Sequence, residues 1–252
     1  MLIRKLLWAS FAIMTVNVAA ADDTRVFEMR TYWSPPGKLD ALHERFRKHT
    51  TKLFEKHDMT NVGYWVPLEN DENKLIYFLA YPSREAREKS WQAFLADPDW
   101  QRVQRASEAG GKLVEKIESK FLQATDYSPA IKPAKEGERI FELRTYTTTP
   151  GNLPALNDRF RQHTMKLFAR HGMTNVAYWT LLPDQEGANR TLVYLLAHAS
   201  KQAAEKSFAA FRADPDWISA RKASEEKAGG SLTEKDGVKS IFLQATDYSP
   251  IR

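Results

Sequence analysis

Residues Arg25–Val66 and Arg139–Thr180 align at a constant offset of 114 without a gap, and 26 of the 42 positions are identical. The first copy reads RVFEMRTYWSPPGKLDALHERFRKHTTKLFEKHDMTNVGYWV, the second RIFELRTYTTTPGNLPALNDRFRQHTMKLFARHGMTNVAYWT. The match resumes after small insertions, FLADPDW against FRADPDW and FLQATDYSP against an identical FLQATDYSP. A period above 100 residues is a domain duplication and not a solenoid of short repeats. Whatever the first half folds into, the second must fold into as well. The expected division is repeat 1 over 22–129, a Pro- and Lys/Glu-containing linker over 130–138, and repeat 2 over 139–252.

Periodicity within one copy gives the element order. Val26–Tyr32 alternates, with Phe27 and Met29 on one side and Val26, Glu28, Arg30 and Tyr32 on the other, which predicts a strand. Pro36-Gly37 opens a helix from about Lys38 to His57, whose stripe at 100° per residue is Leu39, Leu42, Phe46, Thr50, Leu53 and His57. Asp58 and its counterpart Gly172 stand where a left-handed C-terminal residue is expected. Asn61–Leu68 and Lys74–Tyr81 are rich in aromatic and β-branched residues around a polar turn and predict a hairpin. Ser83 caps a second helix to about Ala96, and Asp97-Pro98-Asp99-Trp100 starts a short third. Lys120–Tyr127 is the last strand. The order β-α-β-β-α-β predicts an α+β fold, a ferredoxin-like sandwich with its helices on one sheet face, twice over. The other face, carrying aromatics such as Tyr64 or Trp65 and Tyr77, would be bare in an isolated half. Stacking the two bare faces gives one enclosed α/β barrel within a single chain.

The remaining composition narrows the function classes. Charges of both signs are interspersed, 37 Lys+Arg against 32 Asp+Glu, which argues against a nucleic-acid footprint. With no Cys there is no disulfide, thiolate or lipoprotein chemistry. Arg4 and Lys5, an uncharged run Leu6–Val18, and Ala19-Ala20-Ala21 before Asp22-Asp23 predict a secretory leader over 1–21, cleaved after Ala20 or Ala21. Its apolar run is too short to span a bilayer. The expectation is a periplasmic or secreted protein with no membrane attachment after cleavage. No Gly-rich phosphate loop, nucleophile elbow or metalloprotease helix is present.

The FE-x-R-x-Y strand, the Pro-Gly before an amphipathic helix, the His near its end, the YW strand, the hairpin ending in Tyr-Pro-Ser, and ADPDW together resemble the NIPSNAP domain, here in two copies. The resemblance implies membership of the dimeric α/β-barrel superfamily, whose relatives include small monooxygenases, haem-degrading enzymes and haem-binding peroxidase-like proteins. It implies a fold and not an activity. Eukaryotic members are associated with mitochondria and with vesicle or mitophagy signalling. The copies also differ, Tyr81 against His198 and Trp33 against Thr147, so the halves need not do the same job.

Candidate site residues follow from the repeat. Glu28, Arg30 and Tyr32, with Glu142, Arg144 and Tyr146, are expected on the sheet face away from the helices, lining or rimming the barrel interior as ion pairs or as ligand contacts. Tyr64, Trp65, Tyr178 and Trp179 are expected beside them. His49 and His163 border the helix stripe and are candidates for a structural hydrogen bond, proton transfer or haem ligation at a barrel mouth. His57 and His171 read as last-turn cations. The i, i+8 spacing is too long for one metal ion, and no metal site is expected. His43 reads as solvated, and Asp126 and Asp247 as turn or register residues. The leading expectation is a binding protein, with or without catalysis, for a small, partly apolar and anionic molecule in or at the mouth of the barrel. It would act as a monomer with a pseudo-dimeric barrel or as a homodimer. The competing readings are a non-catalytic interaction module, a cofactor-light oxidoreductase or isomerase, and a haem-binding protein. No cofactor is expected otherwise.

Overall fold

A computed structural model describes residues 23–252, so the expected leader lies outside the described residues. Repeat 1 runs β1 Val26–Trp33, α1 Leu39–Arg45, a π-helical turn Phe46–Thr50, α2 Thr51–Lys56, β2 Thr60–Pro67, β3 Lys74–Tyr81, α3 Arg84–Ala96, α4 Pro98–Ser107 and β4 Lys116–Ala124. Repeat 2 follows with β5 Ile140–Thr148, α5 Leu153–Arg159, a second π-helical turn Phe160–Thr164, α6 Met165–Arg170, β6 Thr174–Leu181, β7 Thr191–His198, α7 Lys201–Ala213, α8 Pro215–Ala228 and β8 Thr233–Ala245. The strands close in the order β1-β3-β2-β8-β5-β7-β6-β4, all antiparallel. The two joints between repeats are equivalent: Trp65, Val66 and Pro67 pair with Ala245, Gln244 and Leu243, and Leu122, Gln123 and Ala124 pair with Leu181, Thr180 and Trp179.

The local signals act as the sequence predicts. Ser83 Oγ accepts from the Ala86 N–H, and Asp97 accepts from the Asp99 N–H ahead of Pro98 in the first turn of α4. Asp58 and Gly172 both adopt the left-handed conformation, at φ 59° and 76°. The first helix departs from regular spacing. At its π-helical turn Thr50 donates to the Arg45 carbonyl and Thr51 to the Phe46 carbonyl, five residues back. The extra residue shifts the helical phase by roughly 100°. Leu53 and Phe54 are therefore both buried, and His49 is turned into solvent.

The barrel interior is filled by side chains. Phe27, Met29, Trp65 and Phe78 of repeat 1 interdigitate with Phe141, Leu143, Trp179 and Leu195 of repeat 2. Trp179 stacks on Phe78 at 4.9 Å, and Trp65 meets Phe141 edge-on at 5.6 Å. Each large side chain so buried contributes roughly 1.5–3 kcal/mol by leaving water. Two outer cores, one per repeat, lie between the barrel wall and its helices. The segment 130–138 is packed rather than free: Ile131 joins the interior cluster, and the Ala134 N–H donates to the Pro250 carbonyl.

Candidate functional site

The alternation along β1 is as predicted, but its faces are exchanged relative to expectation. Phe27 and Met29 point into the barrel, while Glu28, Arg30 and Tyr32 point outward under the helices. The reason lies on α3: Arg87 and Trp91 reach down to the charged face and make it the better-satisfied side. Glu28 is completely buried and accepts five hydrogen bonds, from Arg30 (2.5 Å), two from Arg87 (2.8 and 3.0 Å), Ser119 (2.6 Å) and Tyr81 (3.0 Å). Burial alone would raise its carboxyl, but the Arg87 hydrogen bonds, the Arg30 charge and the Ser119 hydroxyl outweigh it and bring the carboxyl from 4.5 to about 2. Glu28 is thus a fixed anion, and a poor proton donor or acceptor near neutrality.

Arg30 is held on all sides. Its Nε–H donates to Tyr77 at 2.9 Å, a terminal N–H donates to Tyr32 at 3.3 Å, and its plane lies 4.3 Å from the Trp91 ring centre. Burial raises the Tyr77 phenol well above its ordinary range, so it stays a neutral partner. Above this cluster, between α1–α2 and α3–α4, opens a cleft of about 790 Å³. Arg30 and Arg87 line its floor, and Phe46, Phe54, Trp91 and Trp100 form its aromatic walls.

Repeat 2 keeps the carboxylate and changes its company. Glu142 accepts from Arg144, from Ser240 and from His198 Nε2 (3.1 Å), while Arg144 Nε–H donates to Tyr194 at 2.8 Å and a terminal N–H to Tyr146. Burial raises the Glu142 carboxyl; His198, Arg144 and Ser240 reverse that and leave it lowered. Ala204 stands where repeat 1 has Arg87, and His198 where it has Tyr81. One exchange removes a cation and the other replaces a phenol by an imidazole. His198 is 1% exposed at its side chain, and its Nδ1 has no partner. Phe208 replaces Trp91 over Arg144, 4.7 Å from its ring centre to the guanidinium.

The other predicted residues separate by location. Tyr64 and Tyr178 face the helices and donate to Asn61 and Asn175. Trp65 and Trp179 lie in the barrel interior, so the YW pair straddles the wall instead of forming one site. His49 and His163 are exposed on the outer helices, where the π-helical turns rotate them out, and His163 lines a groove between α5–α6 and α8. His57 and His171 bond Asp97 and Asp214, the caps of α4 and α8, each at 2.7 Å. His43 is not solvated: it is half-buried against the Tyr248 hydroxyl at 2.8 Å. Asp126 and Asp247 clasp Arg161 and Arg47 of the opposite repeat. Sequence reasoning missed Arg87 and Trp91, which complete the site. The signal was the paired change of Tyr81 and Arg87 to His198 and Ala204 between the copies.

A family model described as NIPSNAP matches residues 27–129 and again 141–250. The chain belongs to the NIPSNAP family. Protein NipSnap homolog 3A of Pongo abelii is 26% identical over 157 residues, 62% of this chain and 59% of that protein. The NipSnap homolog of Dictyostelium discoideum is 28% identical over 142 residues, 55% of each chain. The match therefore spans less than two thirds of these curated relatives' length. Among solved structures, a candidate monooxygenase from Fusobacterium nucleatum superposes with a TM-score of 0.58 at 10% identity, over 88% of this chain and 92% of that one. An anthrone oxidase-like protein superposes at 0.52 with 14% identity, over 90% and 94%. At these identities the likeness is one of fold: both repeats of this NIPSNAP chain together make the barrel that those neighbours share.

Proposed function

We propose that this NIPSNAP chain is an exported binding protein whose ligand, a small aromatic or partly apolar anion, lies in the outer cleft of repeat 1. The observation that carries the reading is a second cation under that cleft whose only separate counterion is an exposed carboxylate. Two arginines share the single buried carboxylate of Glu28, and only the exposed Glu88, on an Arg87 terminal N–H at 3.1 Å, balances them from outside. A ligand carboxylate or sulfonate that displaced Glu88 would gain Arg87, and its apolar body would lie against Trp91 and Phe46. The saturated, strongly acidic Glu28 favours binding over proton transfer.

The probe is 8-anilinonaphthalene-1-sulfonate, titrated into the folded chain and competed with 1-naphthoate, with near-ultraviolet circular dichroism to verify native packing. Saturable, competable binding should be lost in Trp91→Ala and weakened at least tenfold in Arg87→Ala, and kept in Phe208→Ala. Equal loss in Trp91→Ala and Phe208→Ala, or none in either, would remove the site. Export is tested separately: intact-mass analysis of the protein from fractionated cells should find a chain starting at Ala21 or Asp22, and an intact Met1 would refute it.

A further inference from the structure

The two repeats treat one buried arginine differently. In repeat 1, Arg45 is 5% exposed at its side chain and its terminal N–H meets Glu108 at 2.9 Å. In repeat 2 the equivalent Arg159 is 6% exposed, yet its nearest carboxylate, Glu225, stands 3.7 Å away. In both repeats the Nε–H has no partner and a terminal N–H meets a serine hydroxyl, Ser107 at 3.4 Å and Ser224 at 3.3 Å, so the difference lies in the carboxylate alone. The cause is one exchange on the neighbouring helix. Where α4 carries Gln104, α8 carries Arg221, which draws Glu225 to itself with bonds of 3.1 and 3.2 Å. A buried guanidinium without a close counterion is expensive, and it invites an anion from outside.

Space for that anion lies beside it. A groove of about 670 Å³ runs between α5–α6 and α8, lined by Arg159. It is open because α8 presents Ser219 and Ala220 where α4 has Arg102 and Val103. Lys166 and Lys227 flank the groove, and neither has a carboxylate within 4 Å among the described residues. By contrast Arg170, at the far end, is committed to Asp214 and Asp216. Three cations thus line one groove with no carboxylate at hydrogen-bond distance, while the two carboxylates of its lining, Asp158 and Asp216, are held by Arg161 and Arg170, and the Ser224 hydroxyl stands beside Arg159.

We propose that this groove of repeat 2 is a second ligand site, which takes the phosphate group of a soluble phosphorylated small molecule. A phosphate offers several strong acceptor oxygens and up to two charges, matching two lysines and a guanidinium better than a single carboxylate does. The site is independent of the repeat 1 cleft, on other helices and with other residues.

The test is calorimetric titration of the full chain with pyrophosphate at constant ionic strength, with sodium chloride injected as the control. Saturable binding should weaken at least tenfold in the surface double variant Lys166→Ala/Lys227→Ala. It should also weaken about fivefold or more in Arg221→Gln, which returns Glu225 to Arg159. Arg212→Gln removes a charge of α7 outside the groove and should leave binding unchanged. Thermal unfolding without ligand distinguishes the mechanism, since Arg221→Gln should raise the melting temperature as Arg159 regains its partner. Absence of saturable pyrophosphate binding would overturn the proposal, as would equal effects of Arg221→Gln and Arg212→Gln. So would capture by phosphatidylglycerol vesicles with no uptake of soluble pyrophosphate.

Discussion

Glu28 and Glu142 are the same carboxylate in two settings, and the difference makes their partners unequal under mutation. Removing Arg30 leaves Glu28 with both Arg87 bonds, Ser119 and Tyr81, whereas removing Arg144 leaves Glu142 with only Ser240 and His198. Breaking a buried pair to strand a charge costs about 3–5 kcal/mol. Arg144→Ala should approach that range in denaturant unfolding, and Arg30→Ala should fall at least about 1 kcal/mol short of it; equal losses would show that Arg87 does not neutralise Glu28. Acid provides a second check. The Glu28 carboxyl is held at about 2 in the folded chain against an ordinary 4.5. Its contribution, on the order of 3 kcal/mol, is therefore complete above about pH 5 and is withdrawn as pH falls towards 2. Glu28→Gln should start from a lower melting temperature at neutral pH and then lose less than the wild type between those limits. A parallel acid decline in the two proteins would contradict the assignment.

At the scale of single elements, β2 shows how close packing constrains one position. Gly63 pairs with Phe78 just past a bulge, and a Cβ built there would fall 2.0 Å from the Trp65 ring. The equivalent residue of β6 is Ala177. Gly63→Ala should therefore destabilise by roughly 1–3 kcal/mol through overpacking, without the gain that alanine usually brings to a strand. A neutral or stabilising result in urea unfolding would mean that the Trp65 ring can move aside. Most elements were legible from the sequence because their signals are local: caps, a left-handed terminal residue, alternation, a polar turn. The π-helical turn was not, since Thr50 and Thr51 look like ordinary helix residues and the extra residue is visible only in how Leu53 and Phe54 are both buried. The sidedness of β1 was also hidden. Alternation says that Phe27 and Glu28 part company, but the group that decides which faces the helices is Arg87, 59 residues further on.

The duplication and the closed barrel were readable at the scale of the whole chain, because one sheet face per repeat had to be covered. The site was read only in part, since the expected cavity is occupied by Trp65, Trp179 and their neighbours, and the open clefts lie outside the wall. Thr24–Ala130 produced alone would expose Phe27, Met29, Trp65 and Phe78 together with the two strand edges that repeat 2 pairs. It should sediment as a dimer or aggregate, and a folded monomer in analytical ultracentrifugation would show that the interior face needs no partner.

The joint between β2 and β8 has a consequence in time. Its partners Trp65 and Ala245 stand 180 residues apart, and β8 is synthesised after the other seven strands of the barrel. Repeat 1 can form its local turns and helices early, but its hydrophobic face stays open until the final strand arrives. Long-range closures of this kind fold slowly. Until that strand pairs, the nascent chain presents to its surroundings the same aromatic surface that later becomes the most protected part of the molecule.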